Sequence, residues 1–460
     1  MSTFRNIMLC SAAALSITAC ASVASIEEAG SSARESLPQT AESWRAGQEN
    51  AGEVEVGWIA AFGDPVLTAL VEEAQEHNRN LQVAAANVER SRALARQAGA
   101  ALTPNVNLGF GASEGGAIEN TSRTGFSTGL ELQWELDVWG RIRSGQQAAV
   151  ASAQAAEADY VFSQYSLAAG VARAYFLVIE AGLQEGVARS TVEALEETAR
   201  IVNVQFENGL ASSQDLALTR SDFATARDTL TSTSGARRDA LRALEILLGR
   251  YPGAELEVRA TLPDAPAPPP AGVPSEILER RPDLVAAERN VAAAFNSLQS
   301  AKAARLPAIS LTSEIGGTSD SLTNLLDPAN VAWTVAGNLV APLFDGGQRQ
   351  SQVDISTAEQ KQAVAAYGQV ALDAFGEVES NLDQGVVLVD RLSSLSEAAA
   401  EANEAYRIAR LRYDEGETDL IDVLNIQQRV FSAESNLAAV QRLLLDQRVN
   451  LNLALGGSWE

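Results

Sequence analysis

Phe206-Glu207-Asn208-Gly209-Leu210-Ala211-Ser212-Ser213-Gln214-Asp215 and Tyr413-Asp414-Glu415-Gly416-Glu417-Thr418-Asp419-Leu420-Ile421-Asp422 are two versions of one turn. Aromatic, glycine and aspartate recur between them at a constant offset of 207 residues. Gly209 and Gly416 suit the left-handed residue that ends a helix. Ser212, Ser213, Thr418 and Asp419 are residue types that start the next one. Each copy therefore reads as the tip of a helical hairpin. A lone turn of this kind is only a connector, so the flanking sequence decides what it means.

Upstream of the first tip, helical periodicity runs from Gly140-Arg141 to Glu207, roughly 100 Å if continuous at 1.5 Å per residue. Val171, Ala174, Val178, Ala181, Ala188, Val192 and Leu195 belong to a seam with spacings of three and four, and Glu185 interrupts it. A return helix runs from the tip to Leu248-Gly249. Residues 251–275 carry seven prolines, which disfavour helix and ladder alike, and read as a linker. The programme then repeats. A helix runs from Pro282 to Ala304, a longer one to Tyr413, and a last one from the second tip to Leu455-Gly456.

Four stretches switch to period two. The first is about 103–112, with Val106, Leu108 and Phe110 alternating with Asn105, Asn107 and Gly109. The second, about 124–139, sets Phe126, Leu130, Leu132, Trp134, Leu136 and Val138 against Glu131, Gln133, Glu135 and Asp137. The third, about 306–315, sets Ile309, Leu311 and Ile315 against Ser310, Thr312 and Glu314. The fourth, about 331–344, sets Trp333, Val335, Leu339 and Leu343 against Thr334 and Asn338. Lipid on one side and water on the other require this alternation. An antiparallel sheet on a soluble core requires it too.

The N-terminus has a positive residue, Arg5, a short apolar run from Ile7 to Leu15, and then Ile17-Thr18-Ala19-Cys20. That order reads as a lipoprotein signal over 1–19, cleaved before Cys20 and leaving its thiol for acylation. Residues 20–64 then form an extended segment. The remaining boundaries are a first repeat over 65–250, the linker, and a second repeat over 276–456. Cys10 leaves with the signal, so the mature chain has one thiol and no internal disulfide. The single histidine, His77, sits in a polar stretch and reads as a surface residue. Cys/His zinc sites and Ser–His–Asp arrangements are thereby disfavoured, and no phosphate-cradling glycine loop is present. No cofactor and no catalytic residues are expected. The formal net charge of −25 in 460 residues disfavours nucleic acid and suits cationic ligands.

No mature segment has 18 consecutive apolar residues, so a membrane passage would be made by strands. Strands in lipid close into a barrel, and single-chain barrels begin at about eight strands. Four strands per chain therefore require copies: two give eight, three give twelve. Periodicity does not choose between them. Asp215 and Asp422 also suit the N-terminal turn of a helix without any pore. Trp134, Trp139 and Trp333 suit either a membrane interface or packing.

The order of lipobox, Phe62-Gly63-Asp64-Pro65, helix–strand–strand–helix, hairpin, proline linker, Arg281-Pro282-Asp283-Leu284-Val285-Ala286-Ala287-Glu288 and repeat resembles the TolC-like outer-membrane factors of bacterial efflux systems. Within them it is most similar to the NodT-type lipoproteins. The most specific segments are Arg280-Arg281-Pro282-Asp283-Leu284 and the tip Arg412-Tyr413-x-x-Gly416.

The resemblance implies an α+β membrane protein made of two tandem strand-strand/long helical hairpin repeats. It implies a homotrimer whose twelve-stranded outer-membrane barrel continues into a periplasmic α-helical barrel, closed at its tips. A periplasmic adaptor (membrane fusion) protein and an inner-membrane transporter are the implied partners. The family's adaptor-contact pattern falls on Gly209, Leu210, Gly416, Glu417 and Thr418. Its inward carboxylates fall on Asp215 and Asp422, and its gate-holding pair on Arg412 and Tyr413. Asn425 stands where many relatives carry an acid, and Asp419 is the candidate replacement. In such a barrel Glu131, Glu135 and Asp137 line the lumen. The implied function is a passive exit duct for drugs or other small molecules in a tripartite pump. A type I secretion channel and a lipid-anchored coiled-coil scaffold without a pore stay open. The acidic lumen predicts cation preference.

Overall fold

The protein is described here by a computed structural model covering residues 37, 41, 43–46, 57–115 and 123–459. Cys20 and the signal lie outside the described residues.

The elements in chain order are α1 (Pro65–His77), α2 (Arg79–Ala100), β1 (Asn105–Gly115), β2 (Arg123–Leu136), α3 (Arg141–Glu207), α4 (Ser213–Leu247), α5 (Ile277–Arg280), α6 (Pro282–Ala303), β3 (Ala308–Ser319), β4 (Val331–Val340), α7 (Gln348–Asp414) and α8 (Leu420–Ala454). The chain divides into two compact units. One takes the strands with residues 86–158 and 285–370. The other takes 39–85, 159–284 and 371–460, including both hairpin tips.

In the first unit the strands form one antiparallel sheet in the order β1-β2-β3-β4. Register carries the alternation across all four strands. Leu108 pairs with Leu130, Leu130 with Ile315, and Ile315 with Trp333, so one face is apolar. Asn107 pairs with Glu131, Glu131 with Glu314, and Glu314 with Thr334, so the other is polar. Leu108, Phe110, Trp333 and Leu339 are 76%, 65%, 75% and 66% exposed within the single chain. Among the described residues nothing covers this face, which disfavours the soluble-core reading. β1 and β3 run further than their alternation suggested, to Gly115 and Ser319, and β4 stops at Val340. The Nε1–H groups of Trp134 and Trp139 donate to the carbonyls of Leu102 (3.0 Å) and Pro307 (2.7 Å), so both anchor backbone, whereas Trp333 is exposed on the apolar face.

The second unit holds the main core. Ala168, Val171, Ala172, Tyr175, Phe176, Val178 and Ile179 of α3 meet Leu67, Leu70 and Val71 of α1, and Leu241, Leu244 and Leu248 at the end of α4. α3 contains a stretch long and apolar enough by composition to cross a membrane, and half of it is buried inside the protein. It is a core helix, and its small alanines let neighbours approach closely.

Two buried ions hold the ends of the elements. Asp64 caps α1 and accepts from Tyr175 Oη (2.9 Å) and Arg259 Nη1 (3.2 Å). Burial would raise its pKa, but the bonds from Tyr175, Arg259 and the Leu67 and Val66 amides outweigh that and hold it below the usual value. Glu245, also buried, accepts the amides of Ala254 (2.7 Å), Glu255 (2.8 Å) and Leu256 (3.1 Å). The proline-rich segment is therefore a strap rather than a free linker, with Leu256, Val258 and Leu262 packed on the core. Near the N-terminus, Trp44 donates to the Ala271 carbonyl, and the Arg45 and Ala46 amides donate to the Glu379 carboxylate.

Among the described residues, Arg281 is the most connected buried cation. Its guanidinium makes two bonds to Asp283 (3.1 and 2.7 Å), one to Glu377 of α7 (2.7 Å) and one to the Ala454 carbonyl at the end of α8 (3.1 Å). Burial opposes its charge, but these partners win and raise its pKa. One side chain thus ties the start of α6 to the middle of α7 and the end of α8.

Candidate functional site

The tips are built alike. At the first, Gly209 N donates to Phe206 O (3.0 Å) and Leu210 N to Gln205 O (2.8 Å). At the second, Gly416 N donates to Tyr413 O (3.0 Å) and Glu417 N to Arg412 O (2.8 Å). Both are Schellman endings with glycine at a φ of +75° or +76°. The turn that the sequence repeats is thus repeated bond for bond.

The restarts differ. Ser212 and Asp215 form a closed capping box: Ser212 Oγ accepts from Asp215 N (3.1 Å), and Asp215 Oδ2 accepts from Ser212 N (3.0 Å) and Ser212 Oγ (2.7 Å). The Ser212 hydroxyl and amide hold the Asp215 carboxyl below its ordinary pKa. At the second tip Asp419 is the N-cap residue, but its side chain makes no capping bond. Asp422 instead accepts from the Thr418 hydroxyl (2.9 Å). So one carboxylate closes a box, the second is held by a threonine, and the third is not used in capping.

Arg412 reaches Glu417 across the second turn at 3.6 Å, both side chains well exposed. Tyr413 points elsewhere: its hydroxyl accepts from Gln205 Nε2 at 3.4 Å. That bond joins the two hairpins of one chain near their tips. Gln205 escaped the sequence reading, although it stands at the Arg412 position of the first repeat. Leu210 is 80% exposed, and Gly209, Gly416 and Glu417 are exposed as well. Thr418 is half-buried. Asn425 is exposed on the first turns of α8.

The three acids assigned to the strand face have three fates. Glu131 stays on the polar face and is exposed. Glu135 is paired with Arg141 through two bonds of 3.1 and 2.8 Å. Asp137 lies past the end of β2, and its carboxylate accepts the Ile142 and Arg143 amides (2.9 Å each) at the start of α3. A carboxylate at a helix start is favoured by the helix dipole, so Asp137 is a capping group and not a strand-face group. Glu314, read as a polar-face residue, proves to be the direct cross-strand neighbour of Glu131.

Glu185, the break in the α3 seam, bonds Arg237 Nη1 (3.0 Å) and Ser234 Oγ (3.0 Å) of α4 and Arg189 of its own helix (2.9 Å). Burial works to raise its pKa, and these donors overcome it. His77 is exposed and its Nδ1 lies 3.1 Å from the Glu73 carbonyl, as a surface histidine would.

The profile of the outer membrane efflux protein family matches residues 70–250 and 273–457, one match per repeat. The toluene efflux pump outer membrane protein TtgF of Pseudomonas putida is 32% identical over 415 residues, covering 89% of this chain and 86% of its own. The cation efflux system protein CusC of Escherichia coli is 30% identical over 409 residues, covering 88% of each. Among solved structures, the outer-membrane channel OprN superposes with a TM-score of 0.83 at 29% identity, over 92% of this chain and 97% of its own. Sheet, hairpins and sequence thus agree, and the chain belongs to the outer membrane efflux protein family as an outer-membrane efflux channel protein.

Proposed function

We propose that three copies of this chain close their sheets into a twelve-stranded barrel and form a passive exit duct for small molecules in a tripartite pump. The observation that carries this is the sheet: β1 and β4 each have one unpaired edge, and the apolar face is bare. In lipid an unpaired edge costs several kcal/mol per backbone group, so closure requires neighbouring copies. The scaffold reading leaves both features without a purpose. Acylated Cys20 anchors the chain to the membrane, with the hairpins in the periplasm. The tips meet a periplasmic adaptor through Gly209, Leu210, Gly416, Glu417 and Thr418, and the adaptor links the duct to an inner-membrane transporter. The duct itself does no chemistry.

At the tips Asp215 and Asp422, with Asp419, form rings of negative charge by symmetry, and Arg412 and Tyr413 hold the hairpins together. On the polar face Glu131 lines the lumen as an exposed carboxylate. Glu135 and Asp137 lie near it with their charge shared with Arg141 and with the start of α3. Rings of carboxylates in a water-filled pore attract cations and repel anions.

The test combines mass and conductance. Native mass spectrometry of the purified mature protein is expected to give three chains. In planar bilayers with a potassium chloride gradient, its reversal potential is expected on the potassium side. Two or four chains would overturn the twelve-stranded barrel. A reversal potential on the chloride side would remove the acidic rings from the conduction path.

A further inference from the structure

A groove of about 500 Å³ lies between the first hairpin and the opening turns of α8, within the second unit. Leu218, Leu424 and Phe431 give it apolar surface, and Thr225 and Thr229 face it with hydroxyl groups. Both hydroxyls donate to carbonyls of their own helix, at 3.1 Å each, so only their oxygen lone pairs are left to offer a ligand. The groove presents these acceptors, with the amides of Asn425 and Gln428, beside its apolar surface.

Asp222 is the one ionisable residue of that lining. It is half-buried, and among the described residues no hydrogen bond or ion pair reaches it. Every other buried or half-buried acid described above (Asp64, Asp137, Glu135, Glu185, Glu245, Asp283, Glu379) has donors facing it. Burial raises the Asp222 pKa, and no neighbouring cation or donor offsets that. An unpaired, partly desolvated carboxylate beside aliphatic and aromatic surface is the complement of a cation that carries its own apolar body.

We propose that this groove is a binding site for organic monocations, with Asp222 as the ionic partner and Leu218, Leu424 and Phe431 holding the apolar body. Phe431 adds the negative face of its ring to the attraction. A fully hydrated inorganic ion would leave the apolar surface unused, and a neutral molecule would leave Asp222 unpaired. Asn425 lines the same groove on α8 and offers neutral acceptor and donor groups where a second charge would strengthen binding. The role of the groove as a station for cargo rests on the proposed duct, but the binding itself does not.

The experiment is isothermal titration of the detergent-solubilised mature protein with tetraphenylphosphonium, beside Asp222→Asn and Asn425→Asp. Saturable binding at one cation per chain is expected, with affinity falling about tenfold or more in Asp222→Asn, the scale of a 1.4 kcal/mol loss. Asn425→Asp is expected to tighten it. Triphenylphosphine oxide, similar in shape and neutral, should compete poorly. Circular dichroism of the three proteins should coincide. Equal affinity in wild type and Asp222→Asn, or equal competition by the neutral compound, overturns the proposal. Bilayer conductance in plain potassium chloride reports the duct separately. Conductance without saturable binding removes the site and leaves the duct, and binding without conductance, in wild type and in Asp215→Ala/Asp422→Ala alike, keeps the site and removes the duct.

Discussion

Asp215→Ala/Asp422→Ala is expected to conduct at least severalfold more than wild type in single-channel recordings, with weaker cation preference. Two effects act together. Removal of Asp215 opens the Ser212 capping box, and removal of Asp422 frees Thr418. Both hairpins then lose a side-chain bond at the start of their second helices, although Ser212 Oγ still accepts the amide of residue 215. The variant also removes two negative charges per chain from the tips, six in the proposed trimer. Each single variant should show an intermediate conductance, with Asp215→Ala the larger in structural terms because its carboxylate accepts both the amide and the hydroxyl of Ser212. Equal conductance in wild type and double variant would keep the pore and take these aspartates out of the gate. Asp422→Asn is informative beside it, since it keeps an acceptor for Thr418 while removing the charge.

Arg281→Ala is expected to destabilise the second unit by about 3–5 kcal/mol, as breaking one side of a buried ion pair does. The arginine side chain is 5% exposed, and its loss leaves the Ala454 carbonyl without its side-chain donor and Asp283 with the Leu284 amide in place of a charged partner. Glu377 is 54% exposed and is rescued by water, so most of the cost falls on the other two. Arg281→Lys should recover only part, because one ammonium group cannot reproduce a fork that binds two carboxylates and a carbonyl. Thermal unfolding followed by helical circular dichroism measures this. Equal melting of wild type and Arg281→Ala would show that the cluster contributes nothing net.

Much of this architecture was legible in the residues, because two periods and one repeat offset carry it. Alternation along 124–139 marked β2, and Gly209 and Gly416 marked the tips to the residue. The helix ends at Glu207 and Leu247 followed from the glycines after them. What escaped were contacts between residues far apart in sequence. Between Pro65 and Ala100 the chain forms two helices rather than one, because Asn78 interrupts the run. Its side chain accepts from Leu81 N (3.0 Å) and donates to the Leu247 carbonyl (2.8 Å), so it starts α2 and finishes α4 together. Only the approach of α4 makes that worthwhile, and no local pattern shows it. Asp137 looked like a strand residue because alternation does not reveal where a strand ends. The Gln205–Tyr413 bond needs both hairpins in place. The proline segment looked like a linker because its bonds come from side chains outside it: Glu245 takes three of its amides, and Trp44 and Arg448 donate to the Ala271 and Pro266 carbonyls.

The two unpaired sheet edges have a genetic consequence. If closure needs every copy, a chain with one damaged edge joins its neighbours through the intact one and leaves the ring open. Such a chain is not merely inactive but spoils the normal copies it pairs with. An allele with prolines introduced along β4, where each removes a ladder donor, should therefore be dominant over the wild-type allele in the same cell. An allele that never folds should be recessive to it.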